Sequence, residues 1–242
     1  MPAAATILKR RISIISIERT DREDGSRGQV AATDRGNGHR GWSVKSIDFY
    51  YSIGSRYSYL AQSQIAALER DFGVAVRWFP LRSADLMRAA GRMPFNGPAA
   101  STQYLPAYRS TDAARWARFY NIPYSEPDWA AIDFGRINLA AVAASAQADP
   151  AVYSRLLFMH AYDEGARAFG DATLVALAQV AGLDGERIIA EIDAPETQAR
   201  HHATLEAALS AGVFGVPSFV IAGEVFWGND RIVLLRHHLG EV

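Results

Sequence analysis

The chain predicts an α/β fold in which one small sheet is assembled from two separated pieces, βαβ and αββα, with a large all-helical insertion between them. Three observations carry this. A strand, helix and strand pattern opens at Ser46, a long stretch without any strand signal follows, and the chain closes on a helix, two short β-rich runs and a last helix.

The first strand is the β-branched and aromatic run Ile47-Asp48-Phe49-Tyr50-Tyr51, ended by the turn-prone Ser52-Ile53-Gly54-Ser55. Apolar residues at Tyr57, Leu60, Ile65, Leu68 and Phe72 then recur mostly every three to five positions, which predicts an amphipathic helix over 57–72, capped by Gly73. The run 74–80 is a second strand, stopped by Pro80. A βαβ unit makes these strands parallel with a right-handed crossover. Residues 81–199 read as helical, with loops at 93–98, 121–127, 149–150 and 182–185 and helices at 112–120, 138–148, 152–168, 171–181 and 185–192. A helix at 201–211 follows. Then come a strand ending at Ile221, a turn at Ala222-Gly223, a return strand at 224–227 and a helix at 229–238. This order is the thioredoxin topology: residues 46–80 and 200–242 form the core and 81–199 the inserted helical domain.

Composition bounds the chemistry. Of 242 residues, 49% are hydrophobic, 21% charged and none is cysteine, which suits a globular chain with a sizeable core in a reducing, cytoplasmic compartment. Without cysteine there is no thiolate nucleophile, disulfide exchange or zinc–thiolate site in the chain, so any thiol must be borrowed. The only lysines are Lys9 and Lys45, which excludes Schiff-base and P-loop lysines from the main body. Residues 1–45 carry nine Lys/Arg against five Asp/Glu and read as a disordered extension or as the product of an early start codon; residues 46–242 carry sixteen against twenty-one. No basic stripe with interleaved aromatics argues for nucleic acid, and the apolar patch at 12–17 is too short to span a membrane. The adjacent pairs His201-His202 and His237-His238 read as surface or helix-end residues, and His160 as a core or interlobe residue; no metal site is expected.

Three segments could carry chemistry. Ser55 falls at the N-terminus of the first helix, either as a plain N-cap or as the hydroxyl that donates to a bound thiolate. A free thiol of pKa about 8.5 is only a few per cent ionised at pH 7, and lowering it by about two units, roughly 2.7 kcal/mol, makes it mostly thiolate. Val216-Pro217-Ser218 opens the strand that must lie beside that helix end, as an ordinary strand-opening proline or as a cis peptide that presents the backbone of Val216 to a ligand. Asn229 and Asp230 open the last helix, either as a cap with an acidic first turn or as the place where a carboxylate receives a ligand's ammonium group.

Together these segments resemble the glutathione-dependent 2-hydroxychromene-2-carboxylate isomerases, kin of the kappa-class glutathione transferases within the DsbA-like thioredoxin superfamily. The resemblance covers about 46–240. The family's Ser-Pro-Tyr/Phe-Ser-Tyr-Leu-Ala is matched by Ser55-Arg56-Tyr57-Ser58-Tyr59-Leu60-Ala61; its closing Gly-Val-Phe-Gly-Val-Pro-Thr/Ser-Phe and Phe-Trp-Gly-x-Asp-Arg are matched by 212–219 and 226–231. Its Asn-x-Pro-Pro and Tyr-x-x-x-Asp-x-x-Arg-x-Ala are approached by Asn96-Gly97-Pro98-Ala99 and by Tyr108, Asp112, Arg115 and Ala117. The resemblance implies glutathione as cosubstrate, with Ser55 on its sulfur, Val216 and Pro217 on its backbone, and Asn229 and Asp230 at its γ-glutamyl end. Asn96, Arg56 and Tyr57 then line the side of a small-molecule substrate. It also implies isomerisation of an aromatic-pathway carboxylate by reversible thiolate addition, and a homodimer. A kappa-like transferase and an inactive thioredoxin-fold binding protein are the alternatives. Arg56 replaces the family's proline and Leu105 a frequent lysine; Arg56, Arg109 and Arg115 are candidate replacements for that lysine as anchor of an acid.

Overall fold

The computed structural model describes residues 46–91, 105–163 and 165–241. Asn96, the predicted loop at 93–98 and the extension at 1–45 lie outside the described residues.

Among the described residues one four-stranded sheet, in the order β2-β1-β3-β4, organises the fold. Strand β1 (Ser46–Tyr51) pairs in parallel with β2 (Ala75–Pro80), from Ser46 opposite Ala75 to Tyr51 opposite Pro80. On its other side β1 runs antiparallel to β3 (Ser218–Ile221), with Phe49 opposite Phe219 and Tyr50 opposite Ser218. Strand β4 (Glu224–Trp227) completes the hairpin, whose turn residues Ala222 and Gly223 both take positive φ. Pro80 is tolerated because β2 is an edge strand and the proline is its last residue.

From Phe49 to Tyr51 both faces of β1 are buried, which suits the aromatic run there, while Ser46 is exposed and Asp48 only partly buried. Phe49 stacks on Tyr51 and Phe219 with ring centroids 5.0 and 4.8 Å apart and meets Trp78 edge-on. On the opposite face Tyr50 stacks on Phe79 and joins a cluster with Leu81, Leu86, Ala208 and Val213.

The predicted helix at 57–72 is two helices, α1 (Arg56–Gln62) and α2 (Ile65–Phe72). The Ser63 hydroxyl donates to the Leu60 carbonyl at 2.7 Å, and the Gln64 amide donates to Ala61 instead of Leu60, so the ladder tightens and restarts. Gly73 closes α2 in the left-handed conformation, as its position in the sequence predicts.

Between β2 and β3 lie seven described helices: α3 (Ser83–Ala89), α4 (Pro106–Phe119), α5 (Phe134–Ala144), α6 (Ala151–Tyr162), α7 (Asp171–Val180), α8 (Gly185–Glu191) and α9 (Pro195–Ser210). Helices α4 and α9 start earlier than predicted because a proline at the first turn opens each. Helix α6 stops at Tyr162 rather than reaching 168; Gly165 turns with φ 67°, and a Cβ there would lie 2.6 Å from the Glu126 carbonyl oxygen. The last predicted helix is a 3₁₀ turn (Asn229–Arg231) followed by α10 (Ile232–Glu241).

His201 corrects the sequence reading. It is 5% exposed, and its Nε2 accepts the Arg82 backbone N–H at 3.1 Å, so it bridges α9 to the start of α3 instead of facing solvent. His160 meets Phe169 edge-on, at a ring separation of 4.6 Å.

Candidate active site

In an antiparallel pair one strand begins where the other ends, so β1 delivers its C-terminal loop to the same end of the sheet at which β3 starts. That loop, 52–55, is held from the helical insertion. The Ile53 N–H donates to Asn138 Oδ1 at 2.7 Å, and the Ile53 carbonyl accepts from Tyr162 Oη at 3.0 Å. Asn138 is itself fixed by donating Nδ2 to the Phe134 carbonyl at 2.6 Å. Gly54 passes so close to Phe134 that a Cβ would lie 2.9 Å from its Cβ.

Ser55 is the N-cap of α1: its φ and ψ are extended and its Oγ accepts the Ser58 N–H at 3.2 Å. An accepting hydroxyl oxygen still carries its own proton to donate. The Val216–Pro217 peptide is cis and leads directly into β3. The Pro217 carbonyl accepts the Gly228 N–H at 2.9 Å, which ties this bend to the 229–231 turn. That turn packs against α1.

Asn229 is 3% exposed and its Nδ2 has no hydrogen-bond partner among the described residues. A buried amide donor left unpaired is costly, so its presence marks a position that an external acceptor can satisfy. The Asn229 carbonyl accepts from Tyr120 Oη at 3.0 Å, fixing the turn from the end of α4; burial, above all, raises the phenol pKa. Asp230 is half-exposed, 3.5 Å from Arg231 Nη1, and folds back over Gly228, where a Cβ would collide with its carboxylate. Ser55, Pro217, Asn229 and Asp230 therefore lie on segments joined at one end of the sheet.

Arg56 and Tyr57 face α4 and the loop after it. Tyr57 Oη donates to Asp112 Oδ2 at 3.0 Å, and burial followed by the Asp112 charge pushes its pKa well above the ordinary phenol value. Arg56 has a side chain only 11% exposed. Its Nη1 lies 2.9 Å from Glu126 Oε1 and its guanidinium carbon 5.0 Å from the Trp129 ring centroid. Beyond that ion pair, neither Nε nor Nη1 makes a hydrogen bond among the described residues. Glu126 also accepts from Tyr124 Oη and from Trp129 Nε1.

Sequence reading does not find Asn138, Tyr162, Tyr120 or Glu126. Each reaches the site from far along the chain through a single polar atom, and no local pattern distinguishes them.

A family model for the DsbA-like thioredoxin domain matches residues 46–240. The chain is 27% identical over 197 residues to a 2-hydroxychromene-2-carboxylate isomerase of Pseudomonas putida, covering 81% of this chain and 95% of that one. It is 29% identical over 199 residues to the enzyme of the same name from Sphingobium xenophagum, covering 81% and 98%. A solved 2-hydroxychromene-2-carboxylate isomerase superposes with a TM-score of 0.69 at 27% identity, covering 81% of this chain and 95% of its own. A shorter match, 36% identical over 83 residues and 34% of either chain, is to glutathione S-transferase kappa 1 of Caenorhabditis elegans. The chain belongs to the DsbA-like thioredoxin family, and within it stands with the 2-hydroxychromene-2-carboxylate isomerases.

Proposed function

We propose that this isomerase uses glutathione as its thiol cosubstrate and converts an unsaturated aromatic-pathway carboxylate of the 2-hydroxychromene-2-carboxylate type. The chain has no cysteine, so the thiol must come from outside. Glutathione, when bound, supplies a thiolate that adds reversibly to an unsaturated carbon and makes a double bond into a rotatable single bond.

The protein's part is binding and charge placement. Ser55 Oγ keeps its proton for the sulfur while its lone pair caps α1, so the hydroxyl favours the ionised thiol. Asn229 Nδ2 supplies the missing donor to a ligand carboxylate, and Asp230 accepts an ammonium group. These two suit the zwitterionic γ-glutamyl end of glutathione. The backbone of Val216 runs alongside the peptide portion, and the tie from Gly228 to Pro217 keeps both edges in step. Arg56 and Tyr57 border the substrate side. No net redox change is required of the chain.

The observation that carries this reading is the unpaired, buried Asn229 amide beside a half-exposed acid, on a turn packed against the helix that Ser55 caps. A short kappa-class match favours a glutathione transferase as the second reading.

The test is calorimetric titration with reduced glutathione and an ultraviolet scan for bound thiolate, in the parent and in Ser55→Ala. Binding with a thiolate band at neutral pH is expected. In the variant glutathione is retained, the band moves to higher pH and isomerisation falls at least about tenfold, since a hydrogen bond to a charged group is worth about 1.5–3 kcal/mol. Full activity in Ser55→Ala would remove Ser55 from the mechanism. Conjugation of chlorodinitrobenzene without isomerisation would favour the transferase. No binding at millimolar glutathione would leave the inactive binding protein.

A further inference from the structure

The Asn229 carbonyl takes hydrogen bonds from two distant parts of the chain. One is local, from the Ile232 N–H that closes the 3₁₀ turn; the other comes from the Tyr120 hydroxyl, 109 positions away, at 3.0 Å. A single 3₁₀ turn has poor hydrogen-bond geometry and little stiffness of its own, so an outside partner decides how its first residue stands. That first residue carries the buried amide without a partner among the described residues.

The phenol is placed by a well-made helix end. Asn121 follows Tyr120 with φ 54°, the Ile122 N–H donates to the Ala117 carbonyl at 3.0 Å and the Asn121 N–H to the Arg118 carbonyl at 3.2 Å, the paired bonds of a Schellman ending. The Tyr120 ring packs on Trp116 and Phe119 at centroid separations of 5.4 and 5.5 Å. Helix α1 braces this segment on both sides: Tyr57 Oη donates to Asp112 within α4, and Tyr59 Oη donates to the Pro123 carbonyl just beyond it. The contacts close a circuit in which α1 holds α4, Tyr120 at the end of α4 holds Asn229, and the 229–231 turn packs back on α1.

We infer that Tyr120 is a positioning residue for thiol recognition: by holding the Asn229 carbonyl it aims the Asn229 amide, and so sets the preference for a thiol that carries a γ-glutamyl group over one that lacks it. The γ-glutamyl assignment rests on the proposed glutathione reading; the role of Tyr120 goes beyond it. The hydroxyl proton is spent on the carbonyl, so Tyr120 acts through Asn229 and not on the ligand. Thiol selectivity is then set from the inserted helices, although Asn229 itself belongs to the sheet half of the chain.

Calorimetric titrations with glutathione and with N-acetylcysteinylglycine, which keeps the thiol and the glycine but has no γ-glutamyl group, test this on the full chain, Tyr120→Phe, Asn229→Ala and the double variant. In Tyr120→Phe the ring remains; glutathione affinity falls by about three- to tenfold, the worth of one neutral hydrogen bond, while N-acetylcysteinylglycine binds as to the parent. In isomerisation the KM for glutathione rises by the same factor and kcat at saturating glutathione is kept. In the Asn229→Ala background the Tyr120 change has no further effect on glutathione, because the amide it aims is gone, whereas independent contacts would add. An equal loss for both thiols in Tyr120→Phe would make Tyr120 a support of the fold and overturn the inference. So would unchanged glutathione affinity in that variant, or full additivity in the double one. If Asn229→Ala does not fold, the contrast between the thiols in Tyr120→Phe decides; if N-acetylcysteinylglycine binds too weakly to titrate, the double variant decides. A parent that binds neither thiol overturns the glutathione reading and this inference with it, while a parent that binds glutathione without any dependence on Tyr120 overturns this inference alone.

Discussion

Asn138 shows how much of this site depends on single polar atoms. Its side chain is 3% exposed, and its Oδ1 is the acceptor for the Ile53 N–H, in a loop that cannot turn to water. Replacing it with alanine leaves that N–H without its partner. The expected cost is about 1–3 kcal/mol of stability, read as a lower urea midpoint, with isomerisation reduced further because Ser55 is two residues away. A variant with parent stability and parent activity would show that the loop holds itself. The sequence offers no route to this residue: Asn138 sits in a helical stretch, 85 positions from its partner, and an asparagine there reads as one more helix residue. Ser55 is the opposite case. A serine between a glycine-containing turn and an apolar repeat is an N-cap by local chemistry, and it takes that place.

The strands and their punctuation were the most legible elements, because aromatic and β-branched runs, Gly73, Pro80 and Ala222-Gly223 each restrict the backbone locally. The break between α1 and α2 was not, since Ser63 and Gln64 are compatible with a continuing helix and only the hydroxyl's bond back to Leu60 interrupts it. The 229–231 turn combines both kinds of information. Gly228 at φ 113° supports the bend, and its hydrogen atom occupies the space beneath the Asp230 carboxylate. In Gly228→Ala the strained backbone costs about 1 kcal/mol or more and the methyl displaces that carboxylate. The fold is expected to survive, with glutathione affinity reduced by at least about tenfold in a calorimetric titration; unchanged affinity would take Asp230 out of the binding edge.

Across the assembled fold, pH acts through a contact between distant helices. His201 on α9 accepts the Arg82 N–H with a neutral ring. Burial lowers its pKa below the ordinary 6.5, with Arg82 and His202 acting in the same sense and Asp85, 4.0 Å away, opposing them. The unfolded chain therefore takes up this proton at a higher pH than the folded one. The contribution is fully present above about pH 6.5 and is lost as the pH falls through the lower native value. Denaturation midpoints are expected to drop between pH 7 and 5, and the slope to flatten in His201→Gln. A parent midpoint constant over that range would mean that His201 is protonated equally in both states. Among the described residues no helix is long and apolar enough to cross a membrane.

The two hydrogen bonds at Ile53 have a consequence for inheritance. The bend at 52–55 belongs to the sheet by sequence, but the amide and the carbonyl of Ile53 are claimed by Asn138 and Tyr162, residues that arrive with the inserted helices. The insertion is thus a co-owner of the bend rather than a decoration on an otherwise finished core. A chimera that grafts another relative's insertion onto this sheet keeps its working geometry only if the graft brings an amide oxygen and a phenol to those same two atoms, so bend and insertion can diverge only as a pair.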